Sequence, residues 1–429
     1  MQTGLTAVNN WSLTQKLLFR FFAAYFFIYI IPFPIGFIPF TDTLFTWLNG
    51  IWDLLVPWAG KNMLHLSYPI TVMPNGSGDT TYNYVQLFLF AFLAIITAIV
   101  WSVADRKRKS YDLLLYWIMV YVRYYLAFTM MSYGFYKIIK TQFPFPFMGL
   151  TKTYGDSSPM GLLWNFMGYS TAFNVFTGLA EALGGFLLLF RKTTTFGALF
   201  CMTVLSNIVA MNFCYDVPVK LFSSNLLLMA IFIAVPDMRR LINFFFRNKA
   251  VPAVNMQPKF HKRWMKITWL AVKVLLIVSV SYSTITNAWD GYTSYGDEAT
   301  QKTPLFGIYN VTTFIKNKDT LPRLATDTLL WKQLTLVYAD YATIKMMNDS
   351  VKGYSFTPDT TTKTILLFRN SDTTHKSTLH YFNPDSTHLV FTGKLNDDSV
   401  HIEMQKMDFN NMRLINRGFH WINEYPYNR

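Results

Sequence analysis

Cysteine is almost missing from this 429-residue chain, which holds only Cys201 and Cys214. The two stand 13 residues apart in one apolar run, roughly 20 Å along a helix and beyond disulfide reach. No Cys-x-x-Cys pair occurs, which argues against thiol redox chemistry of the thioredoxin or quinone-reductase type. Both thiols read as small buried apolar side chains. Charge is scarce too, at 14% of positions against 52% hydrophobic, a balance that departs from soluble averages toward membrane proteins. The net charge of +14 does not point to nucleic acid, because the basic residues cluster beside apolar spans and no basic helix face accompanies them. None of the seven histidines, His65, His261, His375, His380, His388, His401 and His420, lies in a predicted span. That disfavours a haem held between helices and an intramembrane metal site. The polar turn Asn75 to Asp79 has the wrong glycine spacing for a phosphate loop, and no Lys-Ser/Thr follows it.

What the chain has instead is apolar sequence, concentrated before residue 290. Phe21 to Ile31, preceded by Lys16 and Arg20 and ended by Pro32 and Pro34, reads as an uncleaved first span, since no small-x-small cleavage site follows. Leu44, Phe45, Leu48, Ile51, Trp52 and Leu55 recur at helical spacing beside Trp47 and Trp58, the pattern of a helix lying in the outer membrane interface. Six more spans are predicted near 84–103, 112–139, 173–190, 196–213, 219–235 and 267–288, with Asp79 or Thr80 capping the first of these. Between the third and fourth spans, Gln142 to Phe147 alternates Phe and Pro and cannot be helix interior. Sixteen Lys and Arg residues fall in segments on one side of the spans and five on the other, namely Lys61, Lys137, Lys140, Lys152 and Lys220. The positive-inside rule then puts the N-terminus in the cytoplasm and the C-terminal domain outside.

Polar groups inside the spans carry the functional question. Glu181 falls near the middle of its apolar run, where an ionised group costs roughly 2.5–3.5 kcal/mol on insertion scales. Rise per residue brings Arg123, Glu181 and Asn207 to one depth, which predicts a network with Arg123 and Glu181 paired and Asn207 satisfying leftover groups. Such a network either fixes helix register or holds a polar ligand, a proton or a quinone head. Gly178, Gly184 and Gly185 allow close helix approach in either case. A second cluster is expected near the outer face: Tyr136, Lys137, Asn212, Tyr215, Asp216 and Lys220. There Lys137 is positioned to pair with Asp216, and Phe143, Phe145 and Phe147 to cover the mouth. The bland reading of these residues is membrane anchoring.

Tyr133-Gly134-Phe135-Tyr136-Lys137, then the Pro-rich loop, then Gly178 to Arg191 with Glu181 before Gly184-Gly185 and a Leu-rich stretch, resembles the DoxX family. The continuation from Asn207 to Lys220 is similar to its larger, Bacteroidota-type members. The resemblance implies a four-helix membrane core, and among relatives it implies thiosulfate–quinone oxidoreduction for some and membrane oxidative-stress complexes for others. Only Lys137 and Glu181 carry over by position. A more distant similarity links the Gly-x-x-Lys feature to the membrane domain of vitamin K-dependent carboxylases.

After Asp290 the composition turns to Thr, Asp, Asn and Lys with short period-two runs, such as Leu334-Leu336-Tyr338 and Val400-Ile402-Met404. Turns about ten residues apart predict an antiparallel meander forming a small barrel or sandwich. Tyr309 to Arg323 reads as a helix or a linker. His380 and His388 fall on adjacent predicted strands and read as surface residues. The aromatic tail Arg417 to Tyr427 is expected to dock on the sheet, the membrane surface or a partner. The expected organisation is therefore an α-helical membrane bundle of about seven spans followed by an extracytoplasmic antiparallel β domain. Residues 1–110 form a transmembrane hairpin with the interfacial helix, 111–240 the DoxX-like four-helix core, 241–266 a basic cytoplasmic linker, 267–289 the last span and 290–429 the β domain. The leading functional expectation is a component of a bacterial inner-membrane complex, with the β domain periplasmic. A quinone-linked oxidoreductase subunit built around Arg123, Glu181 and Lys137 is the alternative. Its quinone is the one cofactor candidate, and the bilayer and a membrane protein are the expected partners. Small-solute transport is a third reading, weakened by the lack of a second polar layer toward the cytoplasm.

Overall fold

The computed structural model describes residues 10–34, 42–73, 75–251, 263–301, 304–369 and 372–427. Residues 252–262 of the proline-marked basic connector, with Pro252, Pro258 and His261, lie outside the described residues. The chain divides into two compact units: a helical one, Met1–Pro144 with Thr153–Asp290, and a β one, Phe145–Lys152 with Gly291–Arg429.

The helices of the first unit are α1 (Leu13–Ile30), α2 (Asp42–Asn62), α3 (Thr81–Ala104), α4 (Asp112–Ile138), α5 (Pro159–Tyr169), α6 (Thr171–Leu189), α7 (Thr194–Cys214), α8 (Lys220–Ala234), α9 (Met238–Phe245) and α10 (Arg263–Tyr295). Seven helical stretches among the described residues are long and apolar enough to cross a bilayer: α1, α3, α4, α6, α7 with the turn before it, α8 running on through α9, and α10. The chain is a membrane protein. Its outward side chains agree with that environment: Leu275 is 70% exposed and Phe176 66%, patches that water would penalise and lipid does not. The Trp-rich segment forms α2, with Pro57 inside it.

Local chemistry marks the ends. Thr80 caps α3 in a capping box with Asn83. Asp79, an alternative cap for that helix, instead accepts from the backbone N–H groups of Lys220 and Leu221 and so caps α8 across the fold. Arg20 is buried and bonds Ser102, the Asp105 carbonyl and Tyr111, tying α1 to the far end of α3 and the start of α4. Its charge is thus part of the packing as well as of the topology signal.

Helices α4, α6, α7 and α8 close a four-helix ring, each packed on two neighbours. Register along α4 and α6 is set by close approach of backbones. A Cβ on Gly134 would lie 2.7 Å from the Gly178 carbonyl oxygen, and one on Gly185 would lie 2.4 Å from that of Ala127. Gly184 takes the Cys201 thiol against it in the same way. Cys201 is buried as expected, whereas Cys214 is exposed at the end of α7.

The β unit is a closed antiparallel barrel. Its strands are β1 (Gly307–Lys316), β2 (Asp319–Thr320), β3 (Trp331–Tyr338), β4 (Tyr341–Met346), β5 (Val351–Asp359), β6 (Thr364–Arg369), β7 (Asp372–Phe382), β8 (His388–Leu395) and β9 (Asp398–Lys406). Eight of them pair in sequence and β1 returns to β9, from Tyr309 opposite Lys406 to Lys316 opposite Val400, while β2 is a short hairpin extension of β1. Closure leaves no open edge in the ring. The interior is filled by alternate side chains, as in β4, where Ala342, Ile344 and Met346 point in, and by Phe356, Phe391, Leu379 and Ile402. The segment read as a helix or linker is β1 with its hairpin, because Ile308, Val311 and Phe314 are needed in the barrel wall. The aromatic tail does not bury itself on the sheet, since Trp421 is 91% exposed.

Candidate functional site

The ring of α4, α6, α7 and α8, with α5 across its end, borders an open cavity of about 220 Å³. Its lining is largely apolar, from Met130, Leu163, Trp164, Met167, Ile208 and Phe222, and into it face Tyr133, Lys137, Gln142, Glu181, Asn212 and Ser223. Lys137 Nζ donates to Glu181 Oε1, and the two side chains are only 8% and 3% exposed. Glu181 Oε2 and Gln142 Oε1 are buried without a hydrogen-bond partner. Asn212 donates to the Ser223 hydroxyl at 3.0 Å.

The partner of Glu181 is therefore Lys137, where depth counting had predicted Arg123. Depth counting treats every span as starting at the same plane. The glycine contacts override that assumption: with Gly134 against Gly178 and Ala182, and Gly185 against Ala127 and Met131, Glu181 sits level with residue 134, and Lys137 is one turn away. Arg123 is 14 residues from Lys137 along α4, about 21 Å. It donates to the Thr194 hydroxyl at 2.8 Å and lines a separate cavity with Arg191 and Lys192. A second polar layer does exist, at the opposite end of the bundle. Asn207 is exposed on the outside of α7 and joins neither group.

The second predicted cluster also divides. Lys137 and Asn212 face the cavity, whereas Asp216 bonds Lys220 at 2.8 Å, and Lys220 lies 3.8 Å from Asp79. Lys137 thus does not pair with Asp216, which stands at a turn outside the ring. Tyr136 is half-buried and Tyr215 exposed, neither lining the cavity. Of the three phenylalanines expected at the mouth, Phe143 lines it, while Phe145 packs on Phe147, and Phe147 on Phe306 and Phe409, in the β unit. The wall in their place is α5, which the seven predicted spans do not include. Its signal was present: Ser158 as N-cap, Pro159 at the first turn, and Met160, Leu163, Trp164 and Met167 at helical spacing.

The histidines of the barrel are surface groups. His388 contacts Asp385 at 2.8 Å and His375 contacts Asp372 at 2.7 Å. Thr374 and His375 hold the Asp372 carboxyl well below the usual range, and Thr387 and His388 do the same for Asp385.

Chemically, the residues that line the cavity offer an ammonium donor, a carboxylate with one oxygen engaged and one idle, and an idle amide oxygen, among largely apolar neighbours. Unpaired buried acceptors are costly, and a ligand that brings hydroxyl donors would relieve them.

No family model and no solved structure matches the chain. It is similar to the uncharacterized protein YwoB of Bacillus subtilis (strain 168), with 32% identity over 123 residues, which is 29% of this chain and 79% of that protein. The chain belongs to the same family as that protein, through less than a third of its own length.

Proposed function

We propose that the chain is a DoxX-like membrane protein whose helical unit holds the hydroxyl-bearing head group of a lipid-soluble molecule of the quinol class, as a component of a bacterial inner-membrane complex. One observation carries the reading: the buried Lys137–Glu181 pair leaves Glu181 Oε2 unpartnered beside a cavity that Lys137 and Glu181 both line. A quinol hydroxyl donates to that oxygen, and Lys137 donates to an oxygen of the ring, so the pair is stabilised by the ligand at both ends. At about 220 Å³ the cavity is smaller than the roughly 300–1,000 Å³ typical of drug-sized ligands. It suits a single ring with its tail outside in the lipid. Glu181 is the group positioned to take a proton from such a ligand. The asymmetry of Lys and Arg supports a cytoplasmic N-terminus and a periplasmic β unit.

The test is binding of a short-chain quinol analogue to the protein in lipid nanodiscs, read by quenching of tryptophan fluorescence, with Trp164→Phe identifying the responding ring. The double variant Lys137→Met/Glu181→Leu, which removes both charges, should bind the analogue about a hundredfold more weakly, two charge-assisted bonds being lost. Equal binding by a folded double variant would sink the proposal.

A further inference from the structure

The cavity around Arg123 is larger than the head-group cavity, about 550 Å³, and is formed where α4, the start of α7 and the α8–α9 turn meet. Four cationic side chains line it, Arg123, Arg191, Lys192 and Arg240, against the single carboxylate of Asp237. That carboxylate is already engaged: Oδ1 accepts from Arg240 at 2.6 Å, and Oδ2 accepts from the Thr195 hydroxyl. Arg123 is held in place by Thr194 and by the face of Tyr124, 5.2 Å from its guanidinium carbon. The Nε groups of both Arg123 and Arg240 remain buried without an acceptor. Two guanidinium groups with an unpartnered Nε among the residues lining one cavity, with positive charge in excess, suit an anion that offers several oxygens. The first residue of α7, Thr194, lines the same space, so the positive end of that helix adds to the field.

The rim decides which anion. Phe196, Phe244 and Phe245 line the cavity yet are each about 60% exposed, which continues the cavity into the lipid-facing surface of the unit. Helix α9 carries Arg239 and Arg240 together with Phe244 and Phe245, a short amphipathic element of the kind that lies at a headgroup boundary. A free inorganic anion has no use for the phenylalanines, whereas an acyl chain does. We propose that this cavity binds the phosphate of an anionic phospholipid, with Arg123 and Arg240 bonding its oxygens, Arg191 and Lys192 balancing its charge, and the acyl chains lying along Phe196, Phe244 and Phe245. The shared chemistry is a phosphate oxyanion, and the experiment separates its lipid source from a free one.

The intact protein in detergent is titrated with phosphatidylglycerol, with phosphatidylcholine of the same acyl chains, or with inorganic phosphate, and retention is read by native mass spectrometry. The expected result is one retained phosphatidylglycerol per chain with about tenfold preference over phosphatidylcholine. The variant Lys192→Gln/Arg240→Gln should lose most of that preference, each cation near a surface contributing about 1 kcal/mol. Lys192→Gln alone changes an exposed side chain, so it keeps the test valid if the double variant does not fold, and it should lose part of the preference. Inorganic phosphate that competes at equal concentration assigns the same cavity to a free phosphate oxyanion. Equal retention of the two lipids, or undiminished preference in both folded variants, overturns the proposal. Binding of the quinol analogue should be unaffected throughout, which separates this site from the one around Glu181.

Discussion

The two units of this chain solve the burial of charge in opposite ways. In the barrel, ion pairs lie outside a core of apolar side chains: Lys332 and Asp349 remain 40% and 55% exposed, and Lys316 and Asp398 37% and 38%. In the helical unit large apolar side chains such as Leu275 and Phe176 cover the outside as well as filling the inside, and the pair of Lys137 and Glu181 is inside, at 8% and 3%. Each unit puts outside what its surroundings solvate. The difference teaches that a charge inside the helical unit has no water to fall back on, so its partner and its ligand must be built into the fold.

The sharpest way to break that comparison is to remove one charge from each unit. Glu181→Leu leaves Lys137 buried and uncompensated and should destabilise the helical unit by about 3–5 kcal/mol, read as lost hydrogen-exchange protection in nanodiscs. The Lys137→Met/Glu181→Leu double variant should regain most of it. Asp349→Ala removes a carboxylate with two lysine partners and should leave barrel protection unchanged, since exposed pairs contribute little. A loss from Asp349→Ala as large as that from Glu181→Leu would erase the distinction.

A smaller effect sharpens the same contrast through apolar groups. Leu389 in the barrel and Leu126 in α4 are both fully buried. Leu389→Ala should cost about 2–5 kcal/mol, from lost transfer energy plus a cavity. Leu126→Ala should cost measurably less, because leucine gains little by leaving lipid and only the packing term remains. Equal losses would show that the helical core is held by the same water-driven burial as the barrel.

The smallest expected effect concerns pH. Asp372 and Asp385 titrate below the ordinary Asp value of 3.8 in the folded barrel. Because their folded values are depressed, they contribute stability that is fully present above pH 4 and is lost as pH falls through the folded values. Barrel protection should therefore decline on acidification below about pH 4, and Asp372→Asn/Asp385→Asn should flatten that decline. An unchanged slope in the variant would show that other groups govern the acid limb.

The spans were legible because length, hydropathy and the flanking basic clusters are properties of the linear chain. So was the barrel's class, since period-two burial and regularly spaced turns mark antiparallel strands. Glu181 announced itself as a charge in an apolar run. Its partner did not, because pairing depends on the axial offset of α4 and α6, and that offset comes from Gly134, Gly178 and Gly185 meeting backbone. Lys137 belonged by sequence to a surface cluster, and Arg123 belonged to Glu181, yet the register gave Glu181 to Lys137 and left Arg123 with Thr194. Helix α5 was legible in principle, from Ser158-Pro159 and its apolar stripe, and was hidden by the proline-rich loop before it.

The sequence by itself determined that this is a membrane protein of about seven apolar spans with a β domain after them, because solvent preference is written residue by residue. Only the tertiary structure decided which buried charge meets which, because that depends on how far one helix slides along another. Two glycine contacts at backbone distance set the slide, and through it they put Lys137 with Glu181 in one cavity and Arg123 in the other.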